Sequence, residues 1–101
     1  MRQIKTKEDL KTASRKKFYG VGKIISGSVL QPCGFVTATK YKKSYCLMAV
    51  DGLTYGNGYI FKGDRLKPFI EQVMASTTDD IINFQVYEFD TYKELFTWLI
   101  N

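Results

Sequence analysis

Histidine is absent from this chain of 101 residues, and cysteine and proline occur only twice each. Without an imidazole the chain lacks the side chain that most often serves as general base and neutral metal ligand. Cys33 and Cys46 stand outside any Cys-x-x-Cys spacing and have no histidine beside them, a poor basis for a zinc site or an activated thiol. A disulfide would need an oxidising compartment that nothing here suggests. Both are therefore expected as free thiols: Cys46, inside YCLMAV, as a small buried hydrophobe, and Cys33, after Gln-Pro, as partly exposed. No apolar run approaches the roughly 20 residues that a membrane-spanning helix needs. The basic start MRQIKTKEDLKTASRKK leads into no apolar stretch of the signal-peptide kind, so the expected location is the cytoplasm.

The remaining acids add no catalytic pattern. Asp51, Asp64, Asp79 and Asp80 fall in turns or caps, where aspartate is locally favoured, and the lone pair Asp79 and Asp80 is a weak cation signal. The expectation is a protein that is not an enzyme and that takes no cofactor and no metal.

What is present is ordinary globular material. Apolar residues make up 45%, aromatics 15% and charged residues 25%, which supports one α+β domain over residues 1–101 and excludes disorder. Thr6 with Asp9 predicts a helix start, and Asp90 or Thr91 with Glu94 predicts another, with Tyr92, Leu95, Phe96 and Leu99 as one apolar stripe. Leu66, Phe69, Ile70, Val73 and Met74 follow the i, i+3, i+4, i+7, i+8 rule and predict a middle helix with Pro68 in its first turn.

Strand signals fill 17–28, GFVTATKY, SYCLMAV, a brief run at 53–55, another at 59–61, and IINFQVYEF. SYCLMAV is apolar on both faces and predicts a central strand. Tight turns between strands force antiparallel pairing. The expected fold is α+β: a mostly antiparallel sheet of four to five strands with about three helices packed on one face.

The glycine-rich stretch FYGVGKIISGSV invites a phosphate-loop reading, which fails. Gly22 and Lys23 are followed by Ile24 instead of Ser or Thr, and Ile25 stands where a dinucleotide fingerprint needs its third glycine. Gly20 and Gly22 fall on one face of a strand, and that bare face suits a bend or a close-packed aromatic or helix. The RNA-recognition signature also fails, since QPCGFVTA matches only at Gly34, Phe35 and Val36.

Charge is the strongest functional signal. Residues 1–43 hold eleven Lys and Arg against Glu8 and Asp9, while residues 44–101 hold four against eight acids. Such a split points to an anionic partner for the basic part. Two clusters interleave cations with rings: Arg15, Lys16, Lys17 and Tyr19, and Lys40, Tyr41, Lys42, Lys43 and Tyr45. Cations neutralise phosphates and rings stack on unpaired bases.

These features lead to the expectation of a non-catalytic binding protein whose basic half docks on a nucleic acid or nucleoprotein complex. The alternative is a protein–protein module using Tyr55, Asn57 and Tyr59 of the Gly-Asn-Gly loop, with a host protein as partner and no nucleic acid. In size and general character the chain also resembles the small proteins carried by phages and mobile elements. Some of those block host machinery, and the resemblance implies an inhibitory role.

Overall fold

The computed structural model describes residues 1–25, 27, 29–38, 45–49, 65–75, 77–78 and 82–100. Their elements are Arg2–Ile4 (β1), Lys7–Lys11 (α1), Phe18–Ile25 (β2), Gln31–Ala38 (β3), Tyr45–Ala49 (β4), Leu66–Ala75 (α2), Thr77–Thr78 (β5), Ile82–Phe89 (β6) and Tyr92–Ile100 (α3). The strands form one sheet in the order β1-β6-β2-β3-β4, with β5 also on β6, and each of these pairings is antiparallel. The fold is α+β. The expected strands at 53–55 and 59–61 lie outside the described residues.

Local chemistry starts the first and last helices where the spacing predicts. Thr6 Oγ1 accepts from the Asp9 backbone N–H while the Asp9 carboxylate accepts from the Thr6 N–H, a complete capping box. Ahead of α3, Thr91 Oγ1 accepts from the Glu94 N–H, and Glu94 in return accepts from the N–H of Asp90. The middle helix buries Leu66, Phe69, Ile70 and Val73, four of the five positions in its predicted stripe, and half-buries Met74.

The period-two alternation of the sheet divides the core in two. Phe84 and Val86 of β6, with Tyr19 and Val21 of β2, face α1 and α2 and pack with Ile4, Leu10 and Ala13. Tyr87 and Phe89 point the other way, toward Leu95, Trp98 and Leu99 of α3. The expectation of helices on one face thus holds for α1 and α2, whereas α3 covers the opposite face. The reason is Gly20: a Cβ built there would stand 2.6 Å from the Trp98 ring and 2.8 Å from Leu95 Cδ1. The bare strip identified in the sequence lets a helix lie directly on the strand.

Two further points correct the sequence reading. Residues 2–4 form a strand, although three residues are too few to show a period, because the edge of β6 offers unpaired backbone for Arg2, Gln3 and Ile4. Cys33 is buried, 2% exposed, and not partly exposed. The register slips between Val21 and Gly22, so that Cys33 and Gly34 together oppose Val21. This bulge turns the thiol onto the α1/α2 face, where Sγ lies 3.3 Å from the Val21 carbonyl as its donor. Among the described residues β4 pairs with β3; the expectation of a central strand turns on the neighbouring residues 50–64, which lie outside them.

Candidate functional site

The segment between α1 and β2 carries the first basic cluster, and the fold holds it firmly. Ala13 is buried in the core. The Ser14 N–H donates to the Tyr19 hydroxyl at 2.8 Å, the Lys16 N–H to Ser14 Oγ at 3.1 Å, and the Lys17 N–H to the Ser14 carbonyl at 3.1 Å. Arg2 adds a second anchor, donating through Nη2 to Thr12 Oγ1 at 2.7 Å and to Glu88 at 3.0 Å. Arg15 and Lys16 are displayed at the apex of this pinned turn, both exposed.

The same geometry removes two expected contributors. Tyr19 is 2% exposed, so its ring offers no stacking face; its hydroxyl donates to Glu88 at 2.8 Å. Lys17 closes an ion pair with Asp90 at 2.5 Å, which raises the lysine pKa and lowers that of the carboxyl. Lys23, one of the eleven cations of the basic half, is buried and adds nothing to the surface. Lys40, Tyr41, Lys42 and Lys43 lie outside the described residues, as do Tyr55, Asn57 and Tyr59. Their flanking residues Ala38 and Tyr45 are cross-strand partners, two residues beyond the Val36 that opposes Tyr19, at the end of the sheet where β2 begins.

Tyr19 sits in a row of cross-strand neighbours, Arg2, Glu88 and Tyr19, running over β1, β6 and β2. Burial, and to a lesser degree the Glu88 carboxylate, push its phenol above the ordinary 10.0. Since the folded state then keeps a proton that the unfolded chain gives up, stability is full below pH 10 and falls as the pH rises above it. Tyr87, raised by burial, acts in the same direction. Denaturant melts between pH 9 and 11 should show this decline, with a shallower slope in Tyr19→Phe. An unchanged slope would mean that the hydroxyl ionises freely in the folded protein.

Two cations unnoticed in the sequence complete the site. Lys67 Nζ donates to the Lys11 carbonyl at 2.8 Å, placing a cation on the C-terminal end of α1 and tying the start of α2 to it. Arg15, Arg65 and Lys67 then surround one open hollow of about 450 Å³, floored by Ala13, Leu66 and Pro68. The first turn of α2 itself holds no acid, and Asp64, which precedes Arg65 in the sequence, lies outside the described residues. Segments 11–17 and 65–75 together carry six cations against one acid, Glu71. A signal for this existed in the sequence: Arg65 and Lys67 stand where a helix start usually carries Asp or Glu.

A second surface also departs from expectation. Leu95 is buried as the stripe of the last helix predicts, but Tyr92 and Phe96 are exposed, together with Ile100 and Phe18. The Phe18 and Tyr92 rings meet edge-on at 6.1 Å, and Tyr92 stacks on Phe96 at 6.1 Å. The signal is the surplus of apolar residues in YKELFTWLI, which are too many for one side of a helix.

Among the described residues no three His, Cys, Asp or Glu side chains gather as a metal-ligand set, and no helix is long and apolar enough to cross a membrane. Compared with known proteins, the chain matches no family model, no curated protein and no solved structure.

Proposed function

We propose that this is a non-catalytic binding protein that takes a nucleic acid, alone or in a nucleoprotein complex, on the face formed by α1, the turn after it and the start of α2. The observation that carries this reading is the convergence of Arg15, Arg65 and Lys67 on one hollow from positions fifty residues apart in the chain. Three cations around an open depression suit phosphate oxygens, which arginine receives in a bidentate fork and lysine as a point charge. With the ring of Tyr19 buried, the described part of the surface supports phosphate contacts that position the protein and not stacking that reads bases. Lys40, Lys42 and Lys43 belong to this reading by their charge.

The test is a titration against single-stranded and duplex oligonucleotides over a range of salt concentrations. Wild type should bind both, with affinity falling steeply as salt rises. Changing Arg15, Arg65 and Lys67 together to Gln should weaken binding by at least about 10-fold and reduce the log–log salt slope by up to ~3, about one for each lost phosphate contact. The melting curve should hardly move, because exposed cations contribute little to stability and Lys67→Gln keeps a side-chain N–H for the Lys11 carbonyl. A wild type that binds neither oligonucleotide at low salt ends the nucleic-acid reading and leaves the protein–protein module of Tyr55, Asn57 and Tyr59.

A further inference from the structure

We infer that the exposed stripe of α3 is the contact surface of a symmetric dimer of this chain. Tyr92, Phe96 and Ile100 recur every four residues along one side of α3 with Phe18 beside the first, and they are 55%, 49%, 64% and 37% exposed in that order. Taking roughly 200 Å² for each such side chain, these exposures leave on the order of 400 Å² of mainly apolar surface in one continuous strip. A standard interface hides about 800 Å² on each partner, a little over half of it apolar, so about 450 Å² of apolar area is what one side of a stable dimer supplies. The strip matches that requirement. It lies within the size of the largest apolar patch on an ordinary monomer, which is often a functional surface.

Charge selects the second copy as that cover. The chain carries +5, so two copies repel unless they meet on a face without net charge. Around the stripe, Lys17 is paired with Asp90, and Lys93 is matched in number by Glu94. The helix beyond Glu94 reads LFTWLI and bears no charge at all. A partner recognised by opposite charge is drawn instead to Arg15, Arg65 and Lys67, across the sheet from α3. Phe96 lies midway between Tyr92 and Ile100, the position for a two-fold axis, where a residue meets its own copy. Helix-on-helix packing of this kind needs such i, i+4 ridges. On the reading that the α1/α2 face takes phosphates, the two basic faces of the dimer point away from each other and can join two nucleic-acid segments.

Sedimentation equilibrium on nuclease-treated protein, from micromolar to near-millimolar concentration, tests this without any nucleic acid. The expected result is a species of twice 11.6 kDa whose formation is unchanged or favoured by added salt, as apolar association requires. Phe96→Asp should raise the dimer Kd by at least about 10-fold, with its circular dichroism and melt unchanged, because the side chain is half exposed. Should that variant unfold, Tyr92→Lys and Ile100→Lys, at the two ends of the stripe, are read in its place. The triple variant Arg15→Gln, Arg65→Gln, Lys67→Gln should dimerise as wild type does, so that loss of nucleic-acid binding and loss of pairing are separate results. A mass of 11.6 kDa at the highest concentration overturns the inference, as does a dimer that survives the stripe substitutions or dissolves in salt.

Discussion

Phe69→Ala is expected to cost about 3–5 kcal/mol, the range for removing a fully buried aromatic ring and leaving a cavity behind. Phe69 is 1% exposed, and its helix neighbours Ile70 and Val73 are fully covered. These three side chains are the means by which α2 holds to β6, because among the described elements α2 packs on that strand and on α1. A domain of this length has a total stability of about 5–15 kcal/mol, so the variant should be marginal or unfolded at room temperature. Urea melts measure the effect, with an unchanged m-value showing that the loss lies in the folded core. Phe69→Leu, which keeps most of the volume, should cost well under half as much. A shift below about 1 kcal/mol for the alanine variant would mean that α2 does not bury its stripe in solution. The rigid placement of Arg65 and Lys67 would then be lost as well.

Gly20→Ala should destabilise by about 1–3 kcal/mol, the usual cost of adding a carbon to a filled site. The incoming Cβ meets Trp98 and Leu95, and neither can retreat. Leu95 is 1% exposed, and the Trp98 ring is held between Tyr87 and Phe89 at centroid distances of 5.5 and 5.3 Å. Replacing glycine also restricts the unfolded chain, a gain of about 0.4–1 kcal/mol that the clash must exceed for the net effect to be a loss. Gly22→Ala provides the contrast. Its new Cβ would approach Leu30 Cδ1 at 2.6 Å, the free end of a half-buried side chain that can swing aside, so its effect should be the smaller. Trp98 is the only tryptophan, which makes its fluorescence a local reporter. In Gly20→Ala the emission should shift to the red as α3 lifts from the strand, while Gly22→Ala should leave it in place. Equal and negligible effects at both positions would show that α3 is not seated on β2.

These two variants also separate what can be read locally from what cannot. Helix positions were legible because their signals span only a few residues: the Thr6 and Asp9 box, the Thr91 and Glu94 pair, and the stripe from Leu66 to Met74. So were the antiparallel character of the sheet, which tight turns impose, and the bare face at Gly20 and Gly22, which left a bend or a close-packed cover as the choices. The uneven charge of the two halves was legible too, since counting needs no coordinates.

The tertiary structure decided which large thing covers Gly20, and in doing so put α3 on the face away from α1 and α2. It decided that Arg2–Ile4 is a strand, because only the free edge of β6 gives so short a segment its hydrogen bonds. It drew Lys17 into an ion pair and Tyr19 into the core, taking both from the expected basic and aromatic cluster, and brought Arg65 and Lys67 to Arg15 in their stead. Each of these outcomes depends on register between segments far apart in the chain, and a shift of one residue in a strand exchanges its faces. Composition, spacing and capping act within a few residues and carry no information about that register. Which charges remain on the surface, and which of them share a hollow, is therefore settled only when the sheet closes.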